Sequence, residues 1–325
     1  MLKSSRRRTI LLSALLSPVG ARASDPWPSR PIHFIVPLAP GGAVDILARQ
    51  IAQKLNATLG VAVVVDNRPG AGTIVGTQML AQAAPDGYTF GFVISSHLAN
   101  PSLHTTLPYD TLTAFAPVNL LVTGPLVVVT NASLPVSNLS ELIQYAKTNP
   151  GKVNYATGSI GDVGHLTGER LKLVTGMSME HIAYKGASAA LTDLLGGTIN
   201  VMINTPAMLI PYIKSGKLKA LAVTSAARSD ALPGVPSIAE VLNDKSFDMS
   251  TFYGMLAPKG TPKTIVDKMS AEVSSILKAP DVRESLLLQG FVPVGGSPEE
   301  LRAYIENGVR QSSEVVRKAK IPVES

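Results

Sequence analysis

Past its first thirty residues the chain alternates between two spacings of apolar positions. Short runs rich in branched and aromatic residues, such as "IHFIVPL" (32–38), read as strands. Longer stretches with apolar residues three and four apart read as amphipathic helices. In "AVDILARQIAQKLNATLG" (43–60) that spacing sets Ile46, Leu47, Ile51 and Leu55 on one face. "VAVVVDN" (61–67) reads as a buried strand, "TIVGTQMLAQA" (73–83) as a helix and "YTFGFVIS" (88–95) as a further strand. This β-α-β-α-β order predicts an α/β fold, with parallel strands covered by helices.

The rhythm restarts at "GPLVVVT" (124–130). "NLSELIQYAKTNPGK" (138–152) reads as a helix and "VNYAT" (153–157) as a strand, and a glycine-rich turn leads into the helix "GHLTGERLKLVTG" (164–176). "EHIAYKG", "ASAALTDLLGG", "INVMINT", "PAMLIPYIKSGK" and "LKALAVTS" continue the alternation. After "FYGMLAP" (252–258) the pattern is helical, ending in a long helix from about Pro298 to Lys320. These last helices bring too few strands for a domain of their own, so they are expected to pack back on the first unit. The predicted division is a first lobe of 24–124 plus 250–325, with a second lobe, 125–249, inserted in it. Two chain crossings, near 121–126 and 224–252, then form a hinge with a cleft beside it. In open α/β sheets ligands sit beyond the carboxyl ends of the strands.

Composition changes this picture at one end only. The 325 residues carry a formal charge of +6, but five of the 29 Lys and Arg residues precede Ser24 and none of the 23 acids does, which leaves +1 on the rest. Such a balance gives no basic surface for nucleic acid. The basic segment "MLKSSRRRTILLSALLSPVGARA" (1–23) has a cationic start, a short apolar stretch and a small-x-small ending, and reads as a cleavable signal peptide cut after Ala23. Its paired arginines fit the Tat route as well as the Sec route. The chain has no cysteine, which removes disulfides, thiolate catalysis, cysteine-ligated metal and a lipid anchor behind the leader. No later apolar run approaches the roughly 20 residues of a membrane span. A soluble exported protein is expected.

Three glycine-rich turns stand where strands hand over to helices: "APGGAVD" (39–45), "NRPGAGTIVG" (67–76) and "TGSIGDVGHL" (157–166). The first N–H groups of a helix lack internal partners and carry partial positive charge, so such ends favour anions. Glycine lets a ligand approach the backbone there. Gly41 and Gly42 alone would also suit a tight turn, with Asp45 pairing to Arg49 one helical turn on. Gly70, Gly72 and Gly76 resemble a dinucleotide turn, but no acid follows the next strand, which ends in Ser95 and Ser96. No nucleophile elbow, zinc-protease motif or Walker lysine occurs, and the five histidines show no metal-ligand spacing. Binding without a cofactor or metal is favoured over turnover. Arg49 and Arg68 are expected to be taken up by helix and turn contacts, leaving a carboxylate to backbone donors.

The blocks "WPSRPIHFIVPLAPGGAVDILARQIAQKL", "VVVDNRPGAGTIVGTQMLAQAAPDGYTF", "LPYDTLTAFAPVNLL", "AYKGASAALTDLLGGTINVM" and "IKSGKLKALAVTSAARSDALPGVPSIAE" carry a resemblance. In order and spacing, from Pro26 to about Val294, the chain resembles the Bug-type extracytoplasmic solute receptors, the substrate-binding proteins of tripartite tricarboxylate transporters. The resemblance implies a two-lobed periplasmic binding protein, type II-like, in which each lobe is a sheet flanked by helices and the ligand cleft lies between them. It also implies a small carboxylate ligand, a membrane permease as partner, a monomer in the periplasm and no catalytic residues. Carried over by motif, the first lobe's contacts are Pro40, Gly41, Gly42 and Asp45 with Ser95, Ser96 and His97. The second lobe's are Thr157, Ser159, Gly161, Asp162, His165, Tyr184, Lys185, Asp193, Asn204 and Thr205. Asp162 departs from the family turn, which has Ser or Thr there. Asp is an equally good helix cap, but its charge is expected to disfavour a simple dicarboxylate. A sensor that docks on a membrane kinase and an exported hydrolase or isomerase are the alternative functions.

Overall fold

The structure, a computed structural model, describes residues 27–158, 160–184 and 187–323. The expected leader, Ser159 and Lys185 lie outside the described residues. The first series of elements is β1 (Ile32–Val36), α1 (Ala43–Leu59), β2 (Val63–Asn67), α2 (Ile74–Gln82), β3 (Thr89–Ile94), α3 (Ser96–Leu103) and β4 (Phe115–Gly124). A second series follows: β5 (Val127–Asn131), α4 (Leu139–Thr148), β6 (Asn154–Thr157), α5 (Val163–Thr175), β7 (Glu180–Ala183), α6 (Ala187–Leu195), β8 (Val201–Asn204), α7 (Pro206–Lys214), β9 (Leu218–Val223) and α8 (Ile238–Leu242). The chain closes with β10 (Thr251–Pro258), α9 (Lys263–Lys278), α10 (Pro280–Leu288), β11 (Val292–Gly296) and α11 (Pro298–Ala319).

The strands form two sheets, ordered β11-β4-β10-β3-β1-β2 and β7-β6-β8-β5-β9. Parallel pairing holds for β1 with β2 and β3, and for β6 with β7 and β8. It fails at the crossings, where β10 runs antiparallel to both β3 and β4, and β5 antiparallel to both β8 and β9. The reason is the route of the chain. A strand that enters a sheet from the neighbouring lobe must run against the strands that point toward that lobe.

Each sheet is covered on both faces. Phe34, Leu47, Ile51, Phe90, Met269 and Val273 belong to the core under α1 and α9, while Leu80, Leu98, Phe252 and Leu301 fill the opposite side under α2, α3 and α11. In the second lobe Leu142, Tyr155, Leu171 and Ile203 form one core and Ala190, Leu194, Met202 and Leu209 the other. On α1 the buried face runs through Val44, Leu47, Ala48, Ile51 and Leu55, and Ile46 turns outward. Trp27 ties the start of the described chain to the first lobe, donating its indole N–H to the Gly87 carbonyl at 3.0 Å.

Two features govern how the lobes meet. Thr224, fully buried, ties both crossings together. Its Oγ1 accepts from the Leu126 N–H at 2.9 Å and donates to the Met249 carbonyl at 2.8 Å. Its backbone pairs with the same two residues. The second feature is α11, which starts with a Ser297–Glu300 capping box. Its first half gives Leu301 and Ile305 to the first lobe, and its second half gives Val315 and Val316 to the core of the second. Gly308 lets α11 lie close on α3, since a Cβ there would stand 2.5 Å from a Leu98 methyl.

Candidate functional site

The turns expected to bind all leave the carboxyl ends of parallel strands. Those after β1, β2 and β3 stand together on the first sheet, and those after β6, β7 and β8 on the second. They face one another. Gly161, in the turn before α5, packs against Leu103 of α3 so closely that a Cβ would lie 2.0 Å from the leucine methyl. Its φ of +75° independently calls for glycine.

On the first lobe Gly41 has φ +85°, and open space surrounds the position of its absent Cβ. Pro40, Gly41 and Gly42 are exposed, and α1 starts at Gly42 without a side-chain cap. Its leading N–H groups therefore present an open, partly positive helix end. Asp45 does not face that opening. It is buried, and its carboxylate accepts from the Gly41 N–H at 2.9 Å, from Arg49 Nε at 3.0 Å and from Asn67 Nδ2 at 3.0 Å. Burial pushes this carboxyl up, but the bonds from Arg49, Gly41 and Asn67 outweigh that and hold it below the ordinary value. Asp45 shapes the turn from within, tying Gly41, α1 and β2 together.

The next wall is α3, which starts from Ser95 at its N-cap. Ser95 Oγ lies 3.2 Å from Thr251 Oγ1, and Ser96 Oγ 2.9 Å from Thr73 Oγ1. His97 is corrected outright. Its ring is fully buried, 6.1 Å from Tyr109 and 5.6 Å from Phe115 between centroids, and burial lowers its pKa to about 4. It supports α3 from behind.

Thr73 is a residue that the sequence reading misses. Ala71, Gly72 and Thr73 have φ of 44°, 58° and 82°, a run of left-handed residues that includes a β-branched one. Asn100 Nδ2 donates to the Gly72 carbonyl and Thr77 Oγ1 to that of Thr73, which holds the strained turn in place. The Gly-Ala-Gly triplet was the available signal. Arg68, expected to be taken up by turn contacts, is exposed and forms no ion pair among the described residues.

In the second lobe Asp162 Oδ1 caps α5, accepting from the His165 N–H at 2.8 Å, as an aspartate at that position should. Thr157 is buried, with Oγ1 2.7 Å from His181 Nε2. His165 is also buried, and its Nδ1 accepts from the Gly161 N–H at 2.9 Å. Both side chains support the turn from within. Tyr184 donates to Asp193 Oδ2 at 2.5 Å, a bond that with burial pushes the phenol up to about 12. Asn204 Oδ1 accepts from the Thr205 N–H at 2.7 Å. Tyr184, Asp193, Asn204 and Thr205 are all half-buried at the rim.

Between the lobes, at the base of the cleft, lies a cavity of about 340 Å³ lined by Ser95, Thr123, Val163, Ser250, Asn307 and Gln311, among others. Of the expected site residues that are described, only Ser95 lines it. The rest of the lining comes from α3, α5, the hinge segments and α11, which lie far apart along the chain.

Residues 47–321 match the profile of the tripartite tricarboxylate transporter family receptor. The chain is 36% identical to the periplasmic binding protein BugD, covering 92% of this chain and all of that one, with a TM-score of 0.80. It is 32% identical to Rpa4515 of R. palustris, solved with adipate, over 91% and 99% of the two chains at a TM-score of 0.82. It is 29% identical to MatC of Rhodopseudomonas palustris, solved with bound malate, over 89% and 100% at a TM-score of 0.78.

Proposed function

The chain belongs to the tripartite tricarboxylate transporter receptor family, and we propose that it captures one small organic acid between its lobes and delivers it to a membrane permease. The observation that carries this reading is the arrangement of the strand-end turns. Uncapped helix starts and exposed glycine backbone on one lobe face a second set of turns across a cleft whose two walls share a hinge. Main-chain donors at helix starts suit a carboxylate, and relatives of the same fold hold adipate and malate. Arg68 adds an exposed cation, without an ion pair among the described residues, on the turn side of β2, where it would draw an anion toward the opening.

The reading involves no covalent step. The imidazoles nearest the cleft are spent on structure, His97 behind α3 and His165 and His181 beneath the second-lobe turn. A ligand that favours the closed form shifts the population toward it, and closure is what a permease would sense. The segment 1–23 would direct export to the periplasm, with the receptor acting as a monomer.

A thermal-shift screen of residues 24–325 against mono-, di- and tricarboxylates tests the reading, because a ligand bound only by the native state raises Tm. At least one acid should raise it in proportion to the logarithm of its concentration. Failure of the whole panel would overturn the proposal. The Asp162→Ser variant should gain affinity for dianions relative to monoanions, because the native carboxylate repels a second charge at that turn.

A further inference from the structure

His181 stands on β7, outside every turn assigned to ligand contact, yet it completes a buried network directly beneath one of them. Its ring stacks on that of His165 with centroids 3.8 Å apart and planes 15° from parallel. His181 Nε2 meets Thr157 Oγ1 at 2.7 Å, and His165 Nδ1 accepts the Gly161 N–H at 2.9 Å. The two rings thus brace both ends of the turn that runs from Thr157 to Gly161. Because a backbone N–H can only donate, Nδ1 of His165 must be bare, and the proton of the neutral ring sits on Nε2.

We propose that His165 and His181 form a positioning pair for the second lobe's ligand turn, and that capture requires both rings to be uncharged. The inference rests on the reading that this cleft binds an organic acid. A proton on His165 Nδ1 would set a donor against the Gly161 donor and break that bond. It would also put charge against the face of His181. Gly161 is seated on Leu103 of the other lobe, so a shift of the turn changes how the lobes meet. The groups facing the pair are Tyr155 on β6 and Glu169 and Lys172 on α5, with Asp162 at the start of that helix. Glu169 is engaged by the Tyr155 hydroxyl at 2.7 Å and by Lys172 at 2.8 Å. Glu169 still favours a charge on His181, but burial, the neighbouring His165 ring and Lys172 together outweigh it. Burial lowers both rings to about 4, with the neighbouring His165 adding to the effect on His181. Since the rings interact, the titration belongs to the pair.

Linkage supplies the test. If binding demands uncharged rings, a bound acid must lower the midpoint at which the pair takes up a proton. Imidazole NMR titrations of the wild-type protein, free and saturated with malate, adipate or, where neither binds, the acid of the panel that raises Tm most, measure that midpoint directly. Calorimetry on His181→Ala and His181→Gln runs beside them. A fall of at least half a pH unit on saturation is expected, with about tenfold weaker binding in His181→Ala. His181→Gln, whose amide can reach Thr157, should recover most of the loss. An acid that binds while leaving the midpoint unmoved would overturn this inference alone. Failure of both acids and of the wider panel to bind the unaltered protein would instead count against the receptor reading.

Discussion

The carboxylate of Asp45 accepts the backbone N–H of Gly41, four residues behind it, at 2.9 Å, and through that bond a helix holds its own entrance open. The same group ties in Arg49 from α1 and Asn67 from β2. Asp45→Ala leaves the Gly41 N–H without its acceptor and loosens two strand ends together. A loss of about 1–3 kcal/mol in stability is expected, with at least tenfold weaker ligand binding. Urea unfolding and calorimetry check the two parts separately.

The left-handed run at Ala71–Thr73 is strained, and its first residue can be relieved. Holding a non-glycine residue there costs about 1–2 kcal/mol, against about 0.5–1 kcal/mol of extra chain entropy for glycine. Ala71→Gly should therefore raise stability by up to about 1 kcal/mol in denaturant melts. Thr73→Gly gains the same relief but loses the Oγ1 contact with Ser96, so its ligand affinity should fall while its stability holds.

Thr224→Val tests the clasp between the crossings. The change keeps the shape but strands a buried Leu126 N–H and the Met249 carbonyl from their hydroxyl partner. About 1–3 kcal/mol of stability should be lost. The lobes should also sample a wider range of angles, visible as a broader interlobe distance distribution between spin labels.

Acid should weaken the fold through its buried histidines. His97, His165 and His181 are held near 4 by burial, well below the ordinary 6.5. Between those values the unfolded chain takes up protons that the folded chain refuses, so stability is full above about pH 6.5 and declines toward pH 4. Each ring contributes at most about 1.4 kcal/mol per pH unit in that window. Urea midpoints at pH 7.5, 6 and 5 should fall in that order. Asp45, held low by its hydrogen bonds, adds a further loss only below the ordinary carboxylate range.

What can be read from residues alone is the local part. The βα turns announce themselves through glycines, and the long C-terminal helix through its apolar spacing and its Ser-Pro-Glu-Glu start. Helix α3 is hidden because Pro101, in its interior, reads as a breaker. Strand β4 is obscured by Pro117 and by Asn119, whose amide is buried against Ser270 and Ser274. The resemblance puts His97 and His165 at the ligand because a shared motif fixes the backbone and says nothing of which way a ring turns. The cavity floor and the Thr224 clasp join residues far apart in sequence, and no window along the chain contains both halves.

The place of β10 between β3 and β4 has a consequence for the newborn chain. As the polypeptide leaves the ribosome, β1 to β3 and β4 appear early, but the strand that must zip them together comes only after the whole inserted lobe. Until then the facing edges of β3 and β4 stand unpaired, the kind of surface that aggregates or recruits chaperones. The lobe made second is thus the first that can complete its sheet, and the lobe begun first is the last to close.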